Sequence, residues 1–338
     1  MLSTLTHDKT DFLKLVLDFP EQVERALGIA RLAPLPEWKA TPDNLLLIGM
    51  GGSAAGGGFL QALFNAQGKV PFEVSRTYTL PSWVGPGTLV LACSYSGNTE
   101  ETLASYDEAK RRGANIIAVS SGGELALRCR ADGFPLVLVP GGQPPRTALG
   151  YMLVPGVVAC QRLGLLPDLD WQELIDQLKE VRATNQPSTE SSLAKALAAT
   201  LEGKVPVVYG QSHWTEAVAV RWRGQINENS KAMCLTHVFP ELCHNEILGW
   251  EGSASQGRWH VVLFTGGDES DQMKKRVAET LNLTGVEYTE LVACGGSLLS
   301  RMLGLAYTGD FVSLYLAELT GQDPAQMKAI DELKARLA

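Results

Sequence analysis

The sequence predicts an α/β protein of two tandem, doubly wound parallel-sheet lobes with a helical C-terminal tail. Three observations lead to that fold class. In the first half, short apolar runs alternate with segments of helical spacing. A second series of the same kind begins after residue 202. The first apolar run breaks directly into a glycine-rich loop, "LLLIGMGGSAAGGG" from Leu45 to Gly58, as a parallel strand does where it feeds a helix at the ligand-binding edge of such a sheet.

A stretch of helical spacing leads, and five apolar runs follow it: Leu45–Ile48, Phe72–Val74, Leu89–Cys93, Ile116–Val119 and Leu136–Val139. Between the third and fourth, "TEETLASYDEAKRRG" puts Leu103, Tyr106 and Ala109 on one helical face, with Gly113 placed to end the helix. These elements make a first lobe over residues 1–165. Residues 166–202 are helical and polar by turns, break at Pro187, and read as the connection between lobes. The second lobe, residues 203–310, opens with "KVPVVYG" and continues through "AMCLTHV", "RWHVVLF" and "GVEYTEL". No close repeat links the lobes residue by residue. The tail, residues 311–338, is helical in pattern, and Asp323-Pro324 has the cap and first-turn proline that open its last piece.

At 338 residues the chain is long enough to bury a core in each lobe. Charged residues make up 20% and the formal net charge is -8, so broad attraction to nucleic acid or to an anionic membrane is not expected. A small anionic substrate would need a local, shielded site. The N-terminus lacks the basic region and unbroken apolar core of a secretory signal, and no run of about 18 apolar residues occurs, which points to a cytoplasmic protein. The six cysteines (Cys93, Cys129, Cys160, Cys234, Cys243, Cys294) have no framework spacing and read mostly as buried thiols of a reduced chain.

A glycine loop after a strand raises the question of whose phosphate it meets. A nucleoside triphosphate loop needs Lys followed by Ser or Thr after the last glycine, and "GGGFLQAL" supplies neither. Gly49, Gly51 and Ala54 fit the dinucleotide spacing, with Glu73 near the end of the next strand as a ribose partner. A sugar-phosphate loop fits as well, its glycines admitting the backbone while Ser53 donates a hydroxyl. Glycines that only allow tight strand–helix packing fit equally.

The loop after the third strand separates these readings. "CSYSGNTEET", Cys93 to Thr102, brings the hydroxyls of Ser94, Ser96 and Thr99 into a turn at the start of a helix. Hydroxyls, free N–H groups and the positive end of the helix dipole together wrap a phosphate without a lysine. "GMGGSAAGG" followed by "SYSGNTEET" resembles the sugar isomerase (SIS) domain, a phosphosugar-binding α/β fold. "PRTALGY" at Pro145–Tyr151 and "RWRGQINENSKAMCLTHVFPELCHNEILGWE" at Arg221–Glu251 narrow the resemblance to the bifunctional phosphoglucose/phosphomannose isomerase family, which carries two SIS domains in one chain. It runs from about residue 44 to the tail, and implies SIS-type lobes and a sugar phosphate substrate.

Interconverting an aldose and a ketose phosphate requires a base that moves a proton between neighbouring carbons through an enediol, a second acid/base group that opens the ring, and a cation near the enediolate. Glu228, His244 and Arg146 supply one of each. By the resemblance, Glu228 transfers the proton, His244 opens the ring and Arg146 stabilises the intermediate. Ser94, Ser96 and Thr99 then hold the phosphate, and Gly52 and Ser53 line the sugar. The histidine comes from the neighbouring subunit in the family, so a homodimer with a shared active site is implied, with no metal and no nucleotide cofactor.

His237, Glu241, Cys243, His244 and Glu246 lack the usual zinc spacings; Glu241, Asn245 and Glu246 are expected to brace the loop that presents His244. Arg221 and Arg223 are placed either to pair with carboxylates or to meet substrate. In the tail, "GQDPAQMKAIDELKARLA", Lys334 stands like the lysine with which the family closes its site, with Lys328 the other candidate. The family threonine linked to acceptance of both C2 epimers falls at Gln326 or Met327 here.

Overall fold

The computed structural model describes residues 4–35, 41–253 and 257–337. They form two compact units. One spans Asp18–Ile175; the other joins the N-terminal segment up to Leu17 with the chain from Asp176 onward.

In the first unit the elements run α2 (Phe19–Leu32), β1 (Asn44–Ile48), α3 (Gly51–Gln67), β2 (Phe72–Ser75), β3 (Thr88–Cys93), α4 (Glu100–Arg111), β4 (Asn115–Ser120), α5 (Gly123–Asp132), β5 (Leu136–Leu138), a 3-10 turn (Pro145–Thr147) and α6 (Leu149–Arg162). The five strands pair in parallel in the order β2-β1-β3-β4-β5. Each expected apolar run coincides with a strand, the fifth of them ending one residue short of Val139, and the central ones carry no polar face because helices cover both sides of the sheet. Leu46, Ile48, Val90, Ala92, Ile116 and Ala118 pack with Tyr106 and Leu125 in one buried cluster. Burying each leucine there contributes roughly 1.5–3 kcal/mol. As the spacing predicts, α4 presents Tyr106 and Ala109 to that cluster, and Gly113 follows its end at φ 75°.

The second unit holds α1 (Phe12–Leu17), α8 (Leu193–Leu201), β6 (Val205–Gly210), α9 (His213–Ser230), β7 (Leu235–Val238), a 3-10 turn (Glu241–His244), α10 (Glu246–Ser253), β8 (Trp259–Thr265), α11 (Asp271–Thr284), β9 (Tyr288–Val292), α12 (Leu298–Leu319) and α13 (Lys328–Leu337). Its four strands are also parallel, in the order β7-β6-β8-β9. The chain passes from one unit to the other inside α7 (Trp171–Asn185). The N-terminal segment is tied to α12, since Glu318 accepts from Thr6 Oγ1 (2.5 Å) and from the His7 N–H (2.9 Å).

Two details of the tail differ from expectation. α12 runs unbroken through Phe311, because it is buried all round and carries no polar face to mark a boundary there. The last helix opens at Lys328 and not at Asp323-Pro324: the Asp323 carboxylate caps a turn, accepting from the Ala325 N–H (3.0 Å). No described helix is long and apolar enough to cross a membrane.

Candidate active site

A parallel sheet in the order 2-1-3-4-5 has its switch point between the first and third strands, where loops leave in opposite directions and open a crevice. In the first unit those are the loops after β1 and β3, the two that the sequence marks. Ser53, in the first turn of α3, joins them: its Oγ accepts from the Tyr95 N–H at 3.0 Å. Cys93 precedes the second loop, and burial pushes its thiol up to about 12, so it stays protonated.

In that second loop the Ser94 and Thr99 hydroxyls lie 3.0 Å apart, and Ser94 Oγ accepts from the Gly97 N–H at 3.1 Å. Ser96 is exposed, and its Oγ accepts from the Asn98 N–H at 3.3 Å. Thr99 is the N-cap of α4, but its hydroxyl makes no capping hydrogen bond to the helix. The turn therefore gathers hydroxyls beside a helix start that no side chain of the cap residue closes.

Arg146 lies in the 3-10 turn Pro145–Thr147 and is buried. Gln22 of α2 fixes this turn, donating from Nε2 to the Thr147 carbonyl and accepting at Oε1 from the Gly150 N–H, both at 2.8 Å. Gly52 meets the same turn. A Cβ there would lie 2.8 Å from the Pro145 carbonyl carbon and oxygen and 3.1 Å from Arg146 N, so only glycine lets the loop after β1 pack against the backbone that carries Arg146.

In the second unit, Glu228 is half-buried in the last turns of α9. A polar ladder fixes the rotation of that helix against α12. Arg221 Nη2 donates to Asp310 at 3.2 Å, Gln225 Nε2 to the same carboxylate at 2.6 Å, Asn229 Nδ2 to Ser313 Oγ at 3.0 Å and Ser230 Oγ to the Ser313 carbonyl at 2.7 Å. Burial pushes the Asp310 carboxyl up, against the pull of Arg221 and Gln225. Arg221 is thus the arginine that pairs with a carboxylate; Arg223 is exposed on the opposite side of α9.

His244 is exposed in the 3-10 turn after β7. Its neighbours hold that turn as expected: Asn245 Nδ2 donates to Glu241 at 2.8 Å, the Glu246 N–H donates to Asn245 Oδ1 at 2.6 Å, and the Glu246 carboxylate accepts from the Tyr209 hydroxyl of β6. No group of three or more His, Cys, Asp and Glu among the described residues could hold a metal ion. Because α9 returns antiparallel to the strands, Glu228 sits at the amino-terminal edge of the sheet and His244 at its carboxyl edge. β7 stands between them, four residues or roughly 13 Å long. Lys334 is exposed in α13.

A SIS domain pattern matches residues 40–132, and the pattern of the bacterial phospho-glucose isomerase C-terminal SIS domain matches residues 190–337. The chain is 40% identical over 333 residues to the bifunctional phosphoglucose/phosphomannose isomerase of Caldicellulosiruptor bescii, covering 96% of this chain and 98% of that one. The chain belongs to the bifunctional phosphoglucose/phosphomannose isomerase family. The isomerase of that name from Aquifex aeolicus is 37% identical over 298 residues, covering 87% of this chain and 90% of that one. The fold also resembles the C-terminal domain of glucosamine-fructose-6-phosphate aminotransferase from Francisella tularensis, with a TM-score of 0.71 at 16% identity, covering 94% of this chain and 98% of that one.

The hydroxyl loop is marked by its own adjacent residues, but how the neighbouring turns and helix are held is not. Gln22, Asp310 and Ser313 support the Arg146 turn and the Glu228 helix from far along the chain, 125, 85 and 84 residues from the partners they bind. Nothing in local spacing signals them; a lone Asp or Ser within an apolar helical run is the only trace.

Proposed function

We propose that the protein interconverts glucose 6-phosphate and mannose 6-phosphate with fructose 6-phosphate through a cis-enediol, as a cytoplasmic homodimer. The observation that carries this reading is the hydroxyl loop at the β1/β3 switch point, in a chain of this isomerase family. Ser94, Ser96, Thr99 and the start of α4 hold the phosphate, while Gly52 and Ser53 bring backbone and hydroxyl to the sugar. His244 gives a proton to the ring oxygen as the anomeric hydroxyl loses one, which opens the ring. Glu228 removes the proton from C2 of the aldose and returns it to C1 while the O2 hydroxyl proton passes to O1, leaving the ketose, and Arg146 faces the enediolate oxygen that forms between the two steps. The tail, with Lys334, closes over the open-chain sugar and keeps water from the enediolate.

Glu228 and His244 stand on opposite edges of one sheet, which supports a site that takes its histidine from the partner subunit. The reaction written this way uses no metal and no nucleotide.

The test is a coupled assay of fructose 6-phosphate formation from each aldose phosphate, with and without chelator, on wild type and Glu228→Gln. Turnover should survive chelator, and Glu228→Gln should lose roughly 10³-fold or more in kcat while still binding the phosphosugar, since general base catalysis is worth about 10²–10⁴-fold. Binding without turnover in the wild type would instead mark a phosphosugar-binding regulator.

A further inference from the structure

The C-terminal end of α9 is closed by a lysine in a backbone conformation that favours glycine: Lys231 has φ 54° and ψ 29°. A Cβ in that region is strained, so a side chain kept there invites the question of what it does. Lys231 turns its ammonium onto four backbone carbonyls: Glu228 at 2.9 Å, Asn229 at 3.3 Å, Asp323 at 2.6 Å and Pro324 at 3.4 Å. The first two belong to the last turn of α9, where carbonyls have no partner inside the helix and carry its negative end. The other two belong to the turn after α12, from which the chain continues into α13 and Lys334.

We infer that Lys231 is a positioning residue of the isomerase site, a clamp that fixes the root of the closing tail against the helix end that carries Glu228. The inference rests on the reading of Glu228 as the proton-transferring base. Lys231 acts through main-chain carbonyls and touches no substrate. A lysine that merely capped α9 would reach the carbonyls of its own helix; this one also takes Asp323 and Pro324, 92 and 93 residues further along. The coupling it creates is between the base and the segment that covers the base.

The test uses the full chain as Lys231→Met and Lys231→Gly. Methionine keeps the aliphatic stem and the strained backbone without the charge, whereas glycine removes the charge and relieves the strain, so a folding defect in the first is not shared by the second. In both, kcat should fall about tenfold or more with KM within about twofold, and amide exchange over residues 322–334 should quicken about tenfold or more, as expected when a closing segment loses its anchor. Exchange in the middle of α9 should stay as in wild type. If Lys231→Gly matches wild type in kcat and in tail exchange, Lys231 is a surface capping group and the clamp is overturned. A wild type inactive on every hexose 6-phosphate would sink the isomerase reading alone; tail exchange in the two variants still decides the clamp.

Discussion

The two lobes share the strand order 2-1-3-4, to which the first adds a fifth strand, and so each has a switch point between its first and third strands, but the chain's own side chains use them in opposite ways. In the second lobe Gln211 seals the crevice, donating from Nε2 to the Phe264 carbonyl at 3.0 Å and to Thr265 Oγ1 at 3.2 Å. The loop after β8 takes up its own amides: the Glu269 carboxylate accepts from the Gly266 N–H and, at 3.0 Å, from the Gly267 N–H. Asp268 beside it pairs with Arg301 at 3.1 Å. The first lobe puts serine and threonine hydroxyls at the corresponding loop. Topology supplies free amides at both places; a carboxylate makes one unfit for an anion and hydroxyls make the other fit.

The contrast breaks most sharply if the first lobe is given the electrostatics of the second. Ser96→Asp keeps an acceptor for the Asn98 N–H, so the loop should fold, but it replaces the hydroxyl proposed to meet the phosphate with a negative charge. A hydrogen bond to a charged group is worth about 1.5–3 kcal/mol, and the added repulsion should bring the loss in kcat/KM to roughly 10²–10³-fold. Glu269→Gln, the neutralising change in the second lobe, should leave kcat/KM within about twofold, since its loop meets no substrate in this reading. Steady-state kinetics on the two variants measure both; equal losses would end the proposed division of labour.

A smaller effect sharpens the role of Gly52. Gly52→Ala pushes a methyl against the Pro145–Arg146 backbone, and if Arg146 acts as proposed, a displacement of about 1 Å there costs on the order of 10²-fold in kcat. Gly224→Ala in α9 puts its methyl 3.9 Å from Glu228 Oε1, an ordinary contact, and adds about 1 kcal/mol of helix propensity. Its kcat should stay within a few-fold of wild type, as read in the same assay alongside a thermal melt. A large loss in Gly224→Ala and none in Gly52→Ala would reverse the argument about which backbone approach is critical.

The central strands were legible because each is a run of apolar residues covered on both sides, so composition alone marks Leu45–Ile48 or Leu89–Cys93 without any need for partners. The hydroxyl loop was legible because its parts are adjacent in sequence. The Glu228–His244 separation was not, since it follows from the antiparallel return of α9 and not from the sixteen-residue spacing of the two side chains. Nor were Lys231 and its carbonyls, because a backbone acceptor leaves no trace in residue type. The unbroken course of α12 through Phe311 was not legible either, for the related reason that a helix buried all round gives no amphipathic edge to read.

The smallest expected effect tests whether the lobes differ in acid stability as well. His260 lies near the amino end of β8, buried, with Nε2 2.9 Å from Thr289 Oγ1. Burial, and then the Lys204 charge, hold its imidazole below the usual value, while Glu287 pulls the other way. The folded chain therefore resists taking a proton there that the unfolded chain accepts at about pH 6.5. Stability from this group is complete above about pH 6.5 and is lost as the pH falls through that value toward the lower folded one. Residues 18–175 contain no histidine, so the first lobe has no such term. Native-state hydrogen exchange between about pH 7.5 and 5 should show the opening free energy of β8 falling while that of β3 stays level across the upper part of the range. His260→Gln, which keeps a partner for Thr289, should flatten the β8 slope; a slope that persists in this variant would assign the acid sensitivity to other groups of the second lobe.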